Sequence, residues 1–264
     1  MARLARSVLP AMKNNIARLR MKQGQPALGV LSVSADPTLA ELFGLAGIDV
    51  YLIDTVHGAL SVGEAQAIAR ACESSGTTPM ARVSRTEPLM MQRLLDAGLL
   101  GILATGVYTP ADAAELVQAV QYPPLGQRPI GAVRVADYLQ GTQTQADYLS
   151  NASEQLLVLA QLDHIEAVNN LDELLAVAGI DGFVISPRDL AMSMGHYDGP
   201  AHEDVKRTIA GAVEKINKAG LIAGTTATTG DQARALIDRG VLFCLNSLPG
   251  MVRQVTGEFM KGRS

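Results

Sequence analysis

The chain has 264 residues, 48% hydrophobic and 18% charged, with two cysteines and a net charge of −4. That length and apolar content suffice for one well-buried core, so a single domain over residues 1–264 is expected and no second domain is required. No apolar run approaches the roughly 18 residues that span a bilayer and the start has no signal-peptide core, which excludes a membrane role; the acidic balance excludes nucleic acid as a partner.

In chain order, residues 1–25 come first. Met1 to Gln25 carries Arg3, Arg6, Lys13, Arg18, Arg20 and Lys22 and no acid, so the remaining chain sets sixteen basic residues against 26 acidic ones. An arginine-rich, acid-free start can mimic an organelle transit peptide. Met12, Ile16 and Leu19 nevertheless share one face of a helix that Gly24 would stop, and an ordered basic helix capping the domain is the expectation.

Beyond it one unit recurs: an amphipathic helical stretch, a glycine, then a short apolar run. "LAGIDVYLID", "LDAGLLGILAT", "AVAGIDGFVIS", "NKAGLIAGTT" and "IDRGVLFCL" place Gly47, Gly98, Gly179, Gly220 and Gly240 where a helix ends in the left-handed conformation. The apolar runs are too continuous for strands with one wet face, which predicts parallel strands buried on both sides. They fall at 27–33, 49–53, 79–83, 101–105, 156–162, 182–185, 221–225 and 241–245, with helices such as 64–75, 110–120, 165–177 and 203–218 between them. Eight such strands predict an α/β fold, a closed (β/α)8 TIM barrel with an N-terminal capping helix. An open doubly wound sheet is the alternative, but no GxGxxG opens a helix and no GxxxxGK[ST] occurs. The connection 122–154 is long for a compact domain and is expected to be a functional loop following strand four, at the active-site face. Cys72 and Cys244 fall in a helix and a buried strand, which predicts reduced core thiols and a cytoplasmic protein.

Chemistry in such a barrel collects beyond the C-terminal strand ends. Those ends carry Asp54 and His57 after strand two, Arg82 at strand three, Thr105 at strand four, Gln161 and Asp163 at strand five, and Ser186 and Asp189 at strand six. Each has a bland alternative. In "SPRDL", Ser186, Pro187 and Asp189 have the spacing of a helix cap, with Asp189 completing a capping box. His57 can merely end a turn before the Ser61 to Glu64 capping box. Asp163 is harder to dismiss, because it closes the almost wholly apolar "LLVLAQLD" and needs a partner if buried; Gln161 shares its face. No HExxH, CxxC or EF-hand loop is present, and two oxygen ligands on adjacent strands would suit Mg²⁺ or Mn²⁺.

Taken together, "GVLSVSADP", "LIDTVHG", "ARVSR", "DAGLLGILATGV", "VQAVQYPPLGQRPIG", "LVLAQLD" and "NNLDELLAVAGIDGFVISPRDLAMSMG", spread over residues 26 to 250, resemble the HpcH/HpaI family of class II pyruvate aldolases. Better-known members cleave 4-hydroxy-2-oxoheptanedioate or 2-dehydro-3-deoxy sugar acids. The resemblance implies a TIM barrel and a homo-oligomer, commonly a hexamer built as a trimer of dimers with an exchanged C-terminal helix. It implies a divalent cation, Mg²⁺ or Mn²⁺, on Asp163 and Asp189, and a lyase that handles a 2-oxo acid and an aldehyde through a metal-bound pyruvate enolate. His57 becomes the base, Asp54 the group that orients it, and Arg82 the cation beside the developing enolate. Gln161, Ser186, Pro187 and Arg188 become substrate-binding positions, with backbone N–H groups at Ser186 to Arg188 holding the substrate carboxylate.

Four positions depart from the family pattern. Asp163 replaces a glutamate, Val56 an acid before the histidine, Leu31 an aromatic of the first strand and Thr105 a proline of strand four. These changes point to a less polar acceptor or to a related step through the same enolate. An oxaloacetate-type decarboxylase, a lyase acting on an aromatic compound and a catalytically silent binding barrel are the alternatives.

Overall fold

The computed structural model describes residues 14–140 and 144–263. Eight parallel strands, β1 Ala27–Ser32, β2 Val50–Asp54, β3 Thr78–Ser84, β4 Gly101–Thr105, β5 Leu157–Leu162, β6 Gly182–Ile185, β7 Ile222–Thr226 and β8 Phe243–Ser247, pair in sequence order, and β8 pairs back onto β1. The predicted (β/α)8 barrel is what forms, and closure leaves no sheet edge unpaired. Helix α1, Ile16–Lys22, precedes the barrel, and α2 Pro37–Leu45, α3 Val62–Ser75, α4 Pro88–Asp96 and α5 Pro110–Val120 each follow one strand. Then come α6 Gln145–Gln155, α7 Ile165–Asn169, α8 Leu171–Leu174, α9 Pro187–Ser193, α10 Glu203–Lys218, α11 Gly230–Ile237 and α12 Leu248–Met260. Among the described residues no helix is long and apolar enough to cross a membrane.

The glycines expected to end helices do so: Gly47, Gly98, Gly179, Gly220 and Gly240 all have φ between 72° and 109°, a region costly for any residue with a Cβ. The Ser61 and Glu64 capping box at the start of α3 also forms. The helix expected over 165–177 does not run through. It breaks at Asn170, whose side chain reaches across to donate to the Tyr108 carbonyl at 2.9 Å.

Strand residues alternate between two cores, as the two-residue period requires. Val30, Tyr51, Ile53, Val83, Ile102, Val158, Phe183 and Cys244 face the surrounding helices. Ala27, Val50, Leu52, Met80, Leu103, Leu157, Leu159, Val184, Ile222, Phe243 and Leu245 fill the lumen. The lumen is too narrow for eight large side chains at one level, so glycine alternates with bulk: a Cβ on Gly29 would stand 2.7 Å from Leu245 Cδ2 and 3.0 Å from Phe243 Cε2. Both cysteines are buried and unpaired, as expected, and burial pushes the Cys72 thiol up to about 12.

Two expectations are corrected. The buried face of α1 is Ala17 and Met21, while Ile16 and Leu19 are exposed; Met12 lies outside the described residues. The helix covers the floor of the barrel, tied by Asn15 Nδ2 to the carbonyls of Leu100 and Gln155 at 2.8 and 3.0 Å and by Arg18 and Lys22 to Asp181, each at 3.0 Å. These ties turn Ala17 and Met21, four residues apart on one face, toward the lumen and leave Ile16 and Leu19 outside. The connection 122–154 is not at the active-site face. It follows helix α5 rather than strand β4, and so lies at the strands' N-terminal end. There Arg128 pairs with Asp96 at the close of α4 at 2.7 Å, Arg134 pairs with Glu73 near the end of α3, and the Glu154 carbonyl accepts from Arg18 of the floor helix.

The lumen packing makes a paired expectation. A Cβ on Gly182 would stand 2.1 Å from the Ile222 carbonyl oxygen, whereas one on Gly211, in α10, meets nothing within 4 Å. Gly182→Ala is expected to lower unfolding stability by about 1–3 kcal/mol, the usual cost of overpacking a tight core. Gly211→Ala should raise it by about 0.5–1 kcal/mol through helix propensity. Urea midpoints at constant m-value decide both.

Candidate active site

The alternation that fills the lumen with apolar side chains brings polar ones inward at its upper end. Asp54, Arg82, Thr105, Gln161 and Ser186 continue the inward rows of β2 to β6, each two residues beyond Leu52, Met80, Leu103, Leu159 and Val184. The predicted strand-end residues thus converge on one opening.

Asp54 and Arg82 are Cα partners in the β2–β3 ladder, so their side chains meet without a loop having to arrange them. Arg82 Nε donates to Asp54 Oδ1 at 3.1 Å and Nη2 to Oδ2 at 2.5 Å. Both side chains are at least nine-tenths buried, and such a pair is costly to break from either side. Asp54 Oδ1 also accepts from the backbone N–H groups of Val56 and His57, at 3.0 and 3.2 Å. Burial alone would push the Asp54 carboxyl up, but Arg82 and these two N–H groups outweigh it and hold the carboxyl below its usual range. The expected orientation of His57 by Asp54 therefore takes a different form. The carboxylate fixes the backbone of the turn, because Arg82 has taken both of its oxygens, and the imidazole is presented at the exposed rim.

On the opposite strands, Gln161 Nε2 donates to Asp163 Oδ2 at 3.1 Å. Asp163 Oδ1 is buried without a hydrogen-bond partner, a condition that costs free energy unless something else fills it. Burial, with the charge of Asp189 added, pushes the Asp163 carboxyl above its usual range. In "SPRDL" Ser186 is the N-cap of α9 and Pro187 its first residue, as the cap alternative expects, but the capping box does not form: Ser186 makes no side-chain cap bond, and its hydroxyl instead donates to Asp189 Oδ2 at 2.6 Å. The expected row of backbone donors shrinks. Ser186 N–H is spent on the Leu162 carbonyl at 3.0 Å and Pro187 has none, so Arg188 is the one of the three with a backbone N–H to offer.

One residue of this region carries no sequence signal of its own. Tyr108, in the loop between β4 and α5, stacks on His164 with ring centroids 5.0 Å apart. Its hydroxyl is pushed up first by burial and then by the charges of Asp163 and Glu166. Among the departing residues, Leu31 is half-buried at the lumen's upper end and Val56 is exposed beside His57. Beyond α9, the ligand atoms of His196, His202 and Asp204 lie within 4.8 Å of one another. The two rings stack nearly parallel, 3.7 Å apart, and His202 Nδ1 accepts from Asp204 N–H at 3.2 Å. Parallel rings do not aim two lone pairs at one ion, so this group is a stacked helix cap.

Comparison with known proteins gives one answer. The HpcH/HpaI aldolase/citrate lyase profile matches residues 28–251. A hydroxypyruvate/pyruvate aldolase of Pseudomonas aeruginosa is 32% identical over 253 residues, 94% of each chain. A 5-keto-4-deoxy-D-glucarate aldolase of Escherichia coli O157:H7 is 31% identical over 91% of this chain and 92% of its own. The crystal structure of a family protein from Burkholderia cenocepacia superposes with a TM-score of 0.86 at 27% identity, over 95% of this chain and all of that one.

The buried ion pair predicts a pH signature. Because the folded Asp54 carboxyl lies below its ordinary value of 3.8, its contribution is fully present above that value and is lost as pH falls through the lower, folded one. Asp54→Asn is expected to cost about 3–5 kcal/mol at pH 7, since it strands a buried guanidinium. Its stability should then fall less steeply than the wild type's between about pH 4 and 2. Equal acid slopes in chemical unfolding would show that the pair contributes nothing.

Proposed function

The chain belongs to the HpcH/HpaI aldolase/citrate lyase family, and from that premise we propose that it is a divalent-metal-dependent carbon–carbon lyase, an aldolase of 2-oxo acids and aldehydes. The observation that carries this is the partnerless buried oxygen Asp163 Oδ1 next to the charge of Asp189. Two carboxylates whose charges act on each other, one with an open acceptor, are a hard oxygen donor set that suits Mg²⁺ or Mn²⁺. Asp163 and Asp189 would hold the cation, which supplies Lewis-acid polarisation of the 2-oxo carbonyl.

The chain's own residues account for the rest. Asp54 engages Nε and Nη2 of Arg82, which leaves Nη1 to donate to the substrate oxygen that gains negative charge, a fixed cation needing no rearrangement during reaction. His57, exposed at the rim with its backbone held by Asp54, moves the proton at the carbon next to the carbonyl. Arg188 N–H and the Gln161 side chain, buried in the lumen, are the groups placed to orient the acid. The names of the relatives favour pyruvate or hydroxypyruvate as that acid. Leu31 and Val56, apolar where the family carries an aromatic and an acid, favour an aldehyde with a less polar body.

Assembly belongs to the same proposal. Val255 and Phe259 of α12 are 69% and 84% exposed, and a groove of about 760 Å³ lined by Leu39, Leu42, Phe43, Met251 and Val255 lies at the base of the helix. An apolar face of this kind supports a homo-oligomer that exchanges C-terminal helices, a hexamer of three dimers. The two buried, unpaired cysteines favour a reducing, cytoplasmic setting.

Exchange of pyruvate methyl protons into D₂O, followed by NMR with Mg²⁺ or Mn²⁺ present, tests the chemistry without an aldehyde. His57→Ala is expected to slow exchange by about 10²- to 10⁴-fold while calorimetric Mn²⁺ affinity stays unchanged. Asp189→Ala should abolish Mn²⁺ binding, and Asp163→Glu should preserve or tighten it. Full-strength Mn²⁺ binding by Asp189→Ala would overturn the metal assignment, and wild-type exchange by His57→Ala would remove the histidine from the mechanism.

A further inference from the structure

An acid held by Arg82, Asp163 and Asp189 occupies the β3 to β6 side of the opening, with His57 reaching its carbon from the turn after β2. The strands close in sequence order, so one arc is left between β6 and β2: the ends of β7, β8 and β1. The new carbon–carbon bond forms at the carbon beside His57, and the aldehyde is therefore met on that arc.

Alternation decides which side chains line it. Ile222, Phe243 and Leu245 belong to the lumen, and a Cβ on Gly224 would meet Val184 and Phe243 there. Two places further along, Thr226 and Ser247 continue the inward rows of β7 and β8, and Leu31 of β1 is the Cα partner of Ser247. The intervening Thr225 turns the other way and donates from Oγ1 to the Ile185 carbonyl at 3.1 Å. Thr226 is exposed, and its hydroxyl has no partner among the described residues. Ser247 Oγ accepts from the Gly250 N–H at 3.1 Å as the cap of α12, which leaves its hydroxyl hydrogen to donate. Across these strands and the turns after them, residues 27–40, 221–233 and 241–252, the sequence has no Lys, Arg or His, and its charges are Asp36 and Asp231.

We propose that Thr226 and Ser247 select the aldehyde. Their subsite takes an uncharged aldehyde with a hydroxyl next to its carbonyl, the hydroxyl bonded by these two side chains and the carbon body set against Leu31. A carboxylate on the aldehyde would find no cation on this arc, and the two acids would repel it. In the bond-forming direction the carbon deprotonated by His57 attacks the aldehyde carbon. The carbonyl electron pair moves to the aldehyde oxygen, and His57 returns its proton there, so nothing else is consumed. The proposal rests on the lyase reading and on the acid's place in it.

The test measures bond formation between pyruvate and each of three aldehydes by the full-length protein with Mg²⁺. Glycolaldehyde carries the hydroxyl, propionaldehyde has a methyl group in its place, and 4-oxobutanoate ends in a carboxylate. The readout is kcat/KM for glycolaldehyde divided by that for propionaldehyde, a ratio from which any loss of folded protein cancels. Thr226→Val keeps the shape and removes the hydroxyl, and is expected to lower the ratio about 3- to 10-fold, the usual worth of one neutral hydrogen bond. Thr226→Ser keeps the hydroxyl and should stay within about twofold of the wild-type ratio, less than the loss of such a bond. In the wild type, kcat/KM for 4-oxobutanoate should not exceed that for propionaldehyde. An unchanged ratio in Thr226→Val overturns the proposal, as does a higher kcat/KM for 4-oxobutanoate, or pyruvate proton exchange without bond formation to any of the three. A wild type that exchanges no pyruvate methyl protons would instead remove the lyase reading on which the subsite stands.

Discussion

Eight parallel strands closed on one another enclose a lumen of nearly constant width, and every second side chain of every strand has to share it. That shared space is the constraint from which the site follows. In the lower and middle levels it is met by setting Gly29, Gly182 and Gly224 among Phe243, Leu245, Ile222 and Val184, at distances that leave no room for a further carbon. At the top level the same inward rows carry polar and charged side chains, which pair with one another where they are buried. Whatever residue falls two places beyond the last apolar one on a strand is delivered to the opening. No loop has to be folded to bring Arg82, Asp54 and Gln161 there, and groups mounted on strands hold their positions better than groups on loops.

The two halves of the opening are electrostatically unlike. On β2 and β3 opposite charges are already matched, and the Asp54 carboxyl is depressed because Arg82 and two N–H groups outweigh its burial. Beyond β5 and β6, at Asp163 and at Asp189 in α9, two carboxylates act on each other, and the Asp163 carboxyl is raised by burial and by its neighbour. The first half is complete as it stands. The second keeps a buried oxygen without a partner, and that asymmetry is what the proposed cation would answer.

How much of this was legible in the sequence follows from the range of each signal. Strand order, helix ends and the inward parity of Asp54, Arg82, Gln161 and Ser186 are short-range: a glycine that must turn left-handed or a two-residue alternation can be read within ten residues. The misplaced features depend on where the chain goes afterwards. Residues 122–154 look like a loop after strand four, yet α5 intervenes and carries the chain back to the other end of the barrel. Ile16 and Leu19 have helical spacing, but α1 is fastened to the floor by partners far along the chain and buries Ala17 and Met21 instead. Ser186 N–H could serve a substrate until the neighbouring strand is in register and claims it. Tyr108 was invisible because two of its partners are distant in sequence: His164, on which its ring stacks, and Asn170, which donates to its carbonyl, are more than fifty residues away.

The helix in the floor has a kinetic meaning. Ala17 and Met21 are almost fully buried beneath the lumen, and Asn15, Arg18 and Lys22 fasten that stopper to three separate segments of the barrel. Between that stopper and the opening the lumen is filled by the side chains of the strands themselves, so packed core separates the two ends of the barrel. Local opening at the floor therefore exposes apolar side chains and leaves the polar end in place, and the two ends of one barrel loosen at different rates.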